Sequence, residues 1–152
     1  MKPRVLFLCT GNSARSQMAE ALLRRYAGDR FQAFSAGLEP KGLNPYTVRV
    51  MDEVGIDVRA QRSKDVMEYL GRVHFSYVIT VCSDAEQNCP IFPFQTIRLH
   101  WPVDDPAKVE GSDEEKLAKF RAVRDRLDGL IRAWLAEQNV PVNTQAGATP
   151  AV

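Results

Sequence analysis

The sequence contains no long apolar run, no block of basic residues and no internal repeat. Its apolar stretches are too short to cross a bilayer, and Met1-Lys2-Pro3 leads directly into one of them, so we expect neither a membrane span nor a signal peptide. The formal net charge of +1 favours no nucleic-acid or membrane partner. We therefore expect a cytoplasmic protein that acts as a monomer.

Histidine and cysteine are also scarce. The chain has 2 histidines, His74 and His100, and 3 cysteines. Zinc in proteins usually takes four ligands from closely spaced pairs, and these residues form no such set, so we expect no zinc site. We interpret the two histidines as packing or surface residues. Structural disulfides are rare in the cytoplasm, where cysteines tend to be catalytic, redox-active or metal-binding.

Four short apolar segments alternate with helical patterns along the chain. The predicted strands are Val5–Leu8, Phe31–Ser35, Tyr77–Val81 and Thr96–Leu99, the last at an edge. This alternation predicts an α/β fold in three layers, with a four-stranded parallel sheet and helices on both of its faces. The length fits a single domain, residues 1–138. Residues 139–152 lose the helical period and the charge, so they are predicted to form a flexible tail.

The helices are recognised by their cap residues and apolar spacing. We predict helices after Ser16, from Asn44 to Gly55, from Ser63 to Leu70 and from Ser112 to Leu135. Asn44 is a cap followed by proline, and Ser112 begins a capping-box pattern. In the first helix Glu20 lies off the apolar face. Ser83 or Asp84 is expected to cap a short helical turn.

The segment Cys9–Ser16 joins the first strand to the first helix. The first N–H groups of a helix lack internal partners, and the helix dipole adds positive potential there, so a tetrahedral anion is attracted. Gly11 and Asn12 tolerate the left-handed backbone that turns N–H groups inward. Arg15 adds a planar fork for two oxygens of the anion. We expect the oxyanion to be bound by Thr10, Gly11, Asn12, Ser13, Ala14 and Arg15.

Cys9, at the base of this segment, is the candidate nucleophile. The positive field should favour its thiolate, so we expect a lowered pKa. Ser16, in the first helical turn, is placed to donate its hydroxyl to that thiolate. A cysteine that ends a buried strand is usually an inert packing residue. Here the Gly-Asn-Ser turn, the Arg-Ser pair and the following helix together favour a reactive cysteine.

Cys82 ends the third strand as Cys9 ends the first. The carboxyl ends of parallel strands gather at one edge of a sheet, where such folds bind ligands, so we expect both thiols near one site. Cys89 follows after a mostly polar segment that is expected to move. From the residues alone, two packed thiols or half of a metal site remain alternatives.

Asp105 is the candidate acid for a leaving oxygen. It lies in the loop after the fourth strand, and Pro106 restricts its backbone to extended conformations, which helps to hold the carboxyl in place. Such an acid would be protonated when the anion is bound. Asp104 is interpreted as a structural neighbour.

The segment CTGNSARSQMAEAL resembles the active-site loop that low-molecular-weight protein tyrosine phosphatases share with thioredoxin-coupled arsenate reductases. CSDAEQNCP resembles the segment that holds the second and third cysteines of those reductases. The phosphatases are not expected to have this pair, and they usually carry tyrosines after the proline of the acid, where Ala107-Lys108 stand here. The resemblance therefore favours the reductase, with a phosphatase as the alternative and a non-catalytic oxyanion or redox sensor as a third possibility.

The resemblance implies a strand order of 2-1-3-4 and a relay of three cysteines. Cys9 attacks the arsenic of arsenate while Arg15 holds its oxygens and Asp105 protonates the departing one. Cys82 then attacks Cys9, arsenite leaves, and Cys89 attacks Cys82. Thioredoxin reduces the resulting Cys82–Cys89 bridge, so no other cofactor is expected.

Some reductases of this kind bind a potassium ion beside the loop. The matching positions in this chain are Asn12, Glu20, Ser35 and Asp65. The match of Asp65 depends on where a one-residue insertion is placed in the alignment. In the other alignment Lys64 falls there, and its ammonium group would stand in for the ion. We therefore expect no metal.

Overall fold

The computed structural model describes residues 1–93 and 95–143 of the chain. Its centre is a parallel sheet of β1 Arg4–Cys9, β2 Gln32–Gly37, β3 Tyr77–Thr80 and β4 Ile97–His100, in the order β2-β1-β3-β4. The predicted class, strand number and strand order are confirmed. The central β1 is buried from Val5 to Cys9, with Cys9 only 2% exposed, whereas Ile97 on the edge strand β4 is 55% exposed.

The described residues contain four α-helices, α1 Arg15–Ala27, α2 Pro45–Asp52, α3 Ser83–Gln87 and α4 Asp113–Glu137. The predicted caps at the start of α2 and α4 are confirmed. Asn44 Oδ1 accepts from Tyr46 N at 2.8 Å, and Ser112 forms a capping box with Glu115. None of the described helices combines the length and the hydrophobicity needed to cross a membrane.

The two faces of the sheet are covered by different elements. On the face that carries Phe7, α1 and α4 pack together, and Trp101 contacts both Phe7 and Trp134 of α4. Phe34 of β2 is in register with Leu6, so it lies on the opposite face, where its ring packs edge-on against Tyr69 at 5.5 Å. The aromatic partners of Phe34, Tyr69 and Phe75, lie in the stretch that follows α2.

The sequence predicted a helix from Ser63 to Leu70, and this prediction is wrong. Only a 3-10 turn forms there, Val66–Glu68, capped by the Asp65 carboxylate, which accepts from Met67 N at 2.9 Å. Met67 is 61% exposed, so the apolar pattern does not form a buried helical face. The Ser63 hydroxyl instead donates to the Gly11 carbonyl at 3.1 Å.

The first residues of the predicted tail contact the domain. Val140 is 7% exposed, and the Asn143 main-chain N–H donates to the Tyr26 carbonyl at 2.9 Å. The rest of the predicted tail, residues 144–152, lies outside the described residues.

Gly37 ends β2 directly beside the segment Cys9–Ser16. The register of β1 and β2 pairs Cys9 with Gly37. A Cβ atom at this position would lie 2.7 Å from Thr10 O and 2.9 Å from Asn12 N, closer than van der Waals contact allows. Glycine is therefore required for β2 to approach the loop so closely.

Substitution of Gly37 by alanine is expected to destabilise the fold by about 1–3 kcal/mol, because the loop backbone must move away from the new methyl group. Urea unfolding of the variant measures this effect. Gly129→Ala is a suitable control: a Cβ there meets nothing within 4 Å inside α4, so we expect a gain of about 0.5–1 kcal/mol. Equal stability of Gly37→Ala and the wild type would contradict the conclusion that this position requires glycine.

Candidate active site

The segment Cys9–Ser16, called the anion loop here, has its carbonyl groups tied to the surrounding protein. The acceptors and their donors are Cys9 O with Leu38 N (3.2 Å), Thr10 O with Glu39 N (2.8 Å), Gly11 O with Lys41 N (2.9 Å), Asn12 O with Gln17 Nε2 (3.0 Å), Ser13 O with Asn44 N (3.0 Å) and Ala14 O with Met18 N (2.9 Å). A trans peptide is planar, with its C=O and N–H on opposite sides. Each outward carbonyl therefore turns the next N–H toward the interior of the loop.

This array of N–H groups is suited to a tetrahedral oxyanion. Asn12 adopts the left-handed conformation that the sequence predicted, with φ of +48°, whereas Gly11 does not. The Asn12 N–H already points to the base of the loop, where it donates to Cys9 Sγ at 3.2 Å. The arrangement supports oxyanion binding by the main chain of the residues predicted for it.

The Cys9 sulfur has a defined hydrogen-bond environment. It lies 2.8 Å from Ser16 Oγ, as the sequence predicted. The Ser16 oxygen accepts from Asn12 Nδ2 at 2.7 Å, so its own hydrogen is left to point at the sulfur. A hydroxyl that donates to sulfur stabilises the thiolate more than the thiol.

The predicted lowering of the Cys9 pKa is not what the structure shows. Burial raises the pKa of the Cys9 thiol above its ordinary value, because the charged form loses its hydration. The Ser16 hydroxyl, the Ser16 and Asn12 N–H groups and the Arg15 charge each act in the opposite direction, but burial outweighs them. A higher pH therefore increases the thiolate fraction of Cys9, while burial opposes it.

Arg15 and Asp105 stand together on one wall of the same cleft. Arg15 Nη1 donates to the Val103 carbonyl at 3.1 Å, and Arg15 Nη2 lies 3.7 Å from Asp105 Oδ2. The other oxygen of Asp105 accepts from Ala107 N at 3.0 Å and thereby caps the 3-10 turn Pro106–Lys108. This turn holds the carboxyl at the rim of a cleft of about 880 Å³ that Cys9 and Arg15 also line.

Asp104 has a different role from its neighbour, as predicted. Its carboxylate lies 2.8 Å from Lys119 Nζ of α4. The hydrogen bond and charge of Lys119 lower the pKa of Asp104, so this group stays ionised and is unsuited to donate a proton. Asp105, which lies 3.7 Å from Arg15 and lines the cleft, is the carboxyl placed to reach a bound anion.

Cys82 lies in the same cleft as Cys9, as the strand order predicted. Its sulfur is 3.4 Å from Thr10 Oγ1 in the anion loop, and the Thr10 hydroxyl also donates to Asp84. Cys82 itself, rather than Ser83 or Asp84, caps α3: its sulfur accepts from Ala85 N at 3.3 Å. The usual caps carry a side-chain oxygen, so a cysteine cap is not predicted from residue preferences.

Cys89 follows α3 and is half-buried. All three cysteines are free thiols. Burial raises the pKa of Cys89, and the nearby Glu86 carboxylate adds to this while Arg98 opposes it. Between Cys82 and Cys89 only Ala85 is buried, so few apolar contacts hold this segment to the domain.

The residues considered for potassium do not fit that ion. Lys64 is buried, and its Nζ atom lies 3.6 Å from Glu20 Oε1 and 3.4 Å from Ser35 Oγ. Asp65 is engaged as the cap of the 3-10 turn. The Lys64 ammonium group thus lies beside Glu20 and Ser35, two of the residues that the resemblance matched to a potassium site. Among the residues that the structure describes, no three His, Cys, Asp or Glu side chains converge to hold a metal.

Two contributions to the site were missed by sequence reasoning. Glu20, placed off the apolar face of the first helix, is only 5% exposed because it pairs with Arg24 at 2.6 Å and accepts from Ser35. Lys41 and Lys108 line the cleft and add positive charge to it. The Glu20–Arg24 pair is a local i,i+4 contact, but the other partners of Glu20, Ser35 and Lys64, are distant in sequence and no local pattern contains them.

The Ser16 hydroxyl is expected to set the reactivity of Cys9. In a Cys82→Ser, Cys89→Ser background, the rate of Cys9 alkylation by iodoacetamide should rise with pH as the thiolate forms. Ser16→Ala should move the midpoint of this rise upward by about one pH unit or more, because a hydrogen bond to the thiolate is lost. Mass spectrometry follows the reaction. When both proteins are unfolded in urea, the alkylation midpoints with and without the Ser16 hydroxyl should be the same. Equal midpoints in the folded proteins would refute the role of Ser16 in stabilising the thiolate.

Lys64→Met is expected to destabilise the protein by about 2 kcal/mol at neutral pH, because the buried Glu20 carboxylate then retains only Arg24 and Ser35 as partners. Glu20→Gln in the same chain should restore part of this loss, since it removes the unpaired charge. Chemical unfolding measures both effects. The unfolding curve of the wild type should be the same in potassium chloride and in sodium chloride at equal ionic strength. Stabilisation by potassium alone would indicate a bound potassium ion and contradict the role given to Lys64.

Comparison with known proteins agrees with this site. The pattern of the family described as low molecular weight phosphotyrosine protein phosphatase matches residues 4–145. The arsenate reductase of Halalkalibacterium halodurans is 46% identical over 134 residues, covering 88% of this chain and 95% of that protein. The arsenate reductase of Bacillus subtilis is 45% identical over 130 residues, covering 86% and 93%.

Solved structures show the same fold. An arsenate reductase in the phosphate binding state superposes with a TM-score of 0.75 at 31% identity, covering 90% of this chain and 98% of that one. A thioredoxin-dependent arsenate reductase of Corynebacterium glutamicum gives 0.67 at 32% identity, covering 91% of this chain and 63% of that one. With its anion loop, its fold and these relatives, the chain belongs to the low molecular weight phosphotyrosine protein phosphatase family.

Proposed function

We propose that this protein reduces arsenate to arsenite through three cysteines and that thioredoxin regenerates it. The observation that carries the proposal is the position of Cys82: its thiol lines the same cleft as Cys9 and contacts the anion loop through Thr10. Relatives that are about as long as this chain are arsenate reductases, and one structural neighbour is thioredoxin-dependent. We place the reaction in the cytoplasm, where thioredoxin keeps thiols reduced.

In the first step the Cys9 thiolate attacks the arsenic atom of arsenate bound in the anion loop. The N–H groups and Arg15 hold the oxygens, and Asp105 protonates the departing oxygen so that it leaves as water. The product is a covalent adduct between Cys9 sulfur and arsenic(V). Ser16 favours this step because its hydroxyl stabilises the thiolate.

In the second step the Cys82 thiolate attacks the sulfur of Cys9. A Cys9–Cys82 disulfide forms, the sulfur–arsenic bond breaks, and its electron pair remains on arsenic, which leaves as arsenite. Cys89 then attacks Cys82 and releases the Cys9 thiolate. The dithiol of thioredoxin reduces the Cys82–Cys89 disulfide and becomes oxidised itself.

The third cysteine must approach Cys82, and the intervening segment is suited to that movement. α3 has 5 residues, and its Glu86 is held by Thr80 at 2.6 Å and Arg98 at 3.0 Å. Apart from Ala85, the side chains from Ser83 to Asn88 are exposed or half-buried. Rearrangement of this segment therefore gives up little buried surface.

A phosphatase is the second candidate, because Cys9, Arg15 and Asp105 form a complete set for phosphate-ester hydrolysis through a phosphocysteine. The family to which the chain belongs is described by that activity. This reaction needs neither Cys82 nor Cys89. We expect it to persist at a residual level in variants of those two residues, so its presence does not discriminate between the candidates. A non-catalytic sensor would bind the anion without any turnover.

The decisive experiment is arsenate reduction with thioredoxin, thioredoxin reductase and NADPH. The wild type should turn over repeatedly, whereas Cys89→Ser should release about one arsenite per chain and stop with a Cys9–Cys82 disulfide. Cys82→Ser, the matched control, should release none. NADPH oxidation and mapping of the disulfide by mass spectrometry measure these outcomes. An inactive wild type that hydrolyses an aryl phosphate briskly would establish the phosphatase instead.

A further inference from the structure

We infer that Gln17 is a positioning residue for oxyanion binding. Its side-chain amide holds the Asn12 carbonyl outward and so directs the Ser13 N–H into the anion loop. The inference extends the proposed function, since it concerns how the loop that binds arsenate is kept in its binding conformation.

The Asn12 carbonyl differs from the others in the anion loop. Among the described residues, the remaining carbonyls from Cys9 to Ala14 each accept from a main-chain N–H, whereas Asn12 O accepts from a side chain, Gln17 Nε2, at 3.0 Å. Asn12 also has φ of +48°, a conformation that is unfavourable for residues with a Cβ. The orientation of the peptide between Asn12 and Ser13 therefore depends on a side chain, that of Gln17, which a substitution can remove.

Gln17 is built to hold this peptide. It is fully buried, and its Nε2 atom lies near three acceptors: Asn12 O at 3.0 Å, Asn12 Oδ1 at 3.1 Å and the Arg62 carbonyl at 2.9 Å. If the Gln17 amide were flipped, its Oε1 atom would face these three acceptor oxygens and no hydrogen bond to them could form. The surroundings thus fix which end of the Gln17 amide faces the loop.

Gln61 fixes the other end of this amide. Gln61 Nε2 donates to Gln17 Oε1 at 2.7 Å, while Gln61 Oε1 accepts from Arg24 Nη1 at 3.1 Å. A guanidinium group can only donate, so Arg24 determines the orientation of Gln61 and, through it, supports that of Gln17. Arg24 and Gln61 line a separate cavity of about 470 Å³, whose lining does not include Cys9 or Arg15.

The consequence is specific to anion binding. If the Asn12–Ser13 peptide is released, the Ser13 N–H is lost as a donor to the anion, whereas the Ser16 hydroxyl still points at Cys9. We expect Gln17→Met, which keeps the length of the side chain but cannot donate, to weaken binding of inorganic phosphate about ten- to hundredfold. Gln61 acts on the loop only through its hydrogen bond to Gln17, so Gln61→Met should weaken phosphate binding about threefold.

Titration calorimetry with inorganic phosphate on the reduced full-length chain tests the inference, with thermal unfolding measured beside it. Gln32→Met is the matched control for the loss of a glutamine side chain: Gln32 Oε1, like Gln61 Oε1, accepts from an arginine, here Arg4 Nε at 3.0 Å, but at an exposed position. Its phosphate affinity should equal that of the wild type. In arsenate turnover, Gln17→Met should raise KM more than it lowers kcat.

Weaker phosphate binding by Gln17→Met with a nearly unchanged unfolding temperature supports the inference. Equal binding by a folded Gln17→Met overturns it while leaving the proposed reductase intact. Should Gln17→Met not fold, Gln61→Met decides, and unchanged phosphate affinity in that variant overturns the inference. A wild type that binds no phosphate overturns both the inference and the anion site on which it depends.

Discussion

The planarity of the peptide bond is the constraint on which this site depends. The carbonyls from Cys9 to Ala14 each accept a hydrogen bond from outside the loop interior. Because the peptide is planar and trans, the N–H that follows each of them is oriented inward. The ties come from distant segments, including Leu38, Lys41 and Asn44. The loop is thus preorganised for an oxyanion by the packing of the whole domain, and little rearrangement is needed when charge arrives.

The sequence predicted much of this because the information was local. The apolar run before Cys9, the cap at Asn44 and the capping box at Ser112 each specify their own element, and the alternation of strands with helices leads to the parallel sheet. The position of Cys82 beside Cys9 followed from topology alone. The resemblance supplied the strand order and the choice among chemistries.

Other features depended on contacts that no local pattern contains. The segment after Ser63 has helical spacing, but Val66 is buried whereas Met67 is 61% exposed, so the apolar residues share no buried helical face and only one 3-10 turn forms. Glu20 is buried because Lys64, far away in sequence, reaches it. The pKa of Cys9 was misjudged because the positive groups around a thiol are visible in a motif, whereas the extent of its burial is not.

The capping role of Cys82 links electron transfer to local structure. In the relay proposed above, the sulfur of Cys82 that bonds to Cys9 is the one that accepts from Ala85 N, so we expect the cap of α3 to weaken when Cys82 is oxidised. A helix of 5 residues has few other contacts to keep it folded. We therefore expect oxidation of Cys82 to loosen the segment that leads to Cys89, the thiol that acts next in the proposed relay.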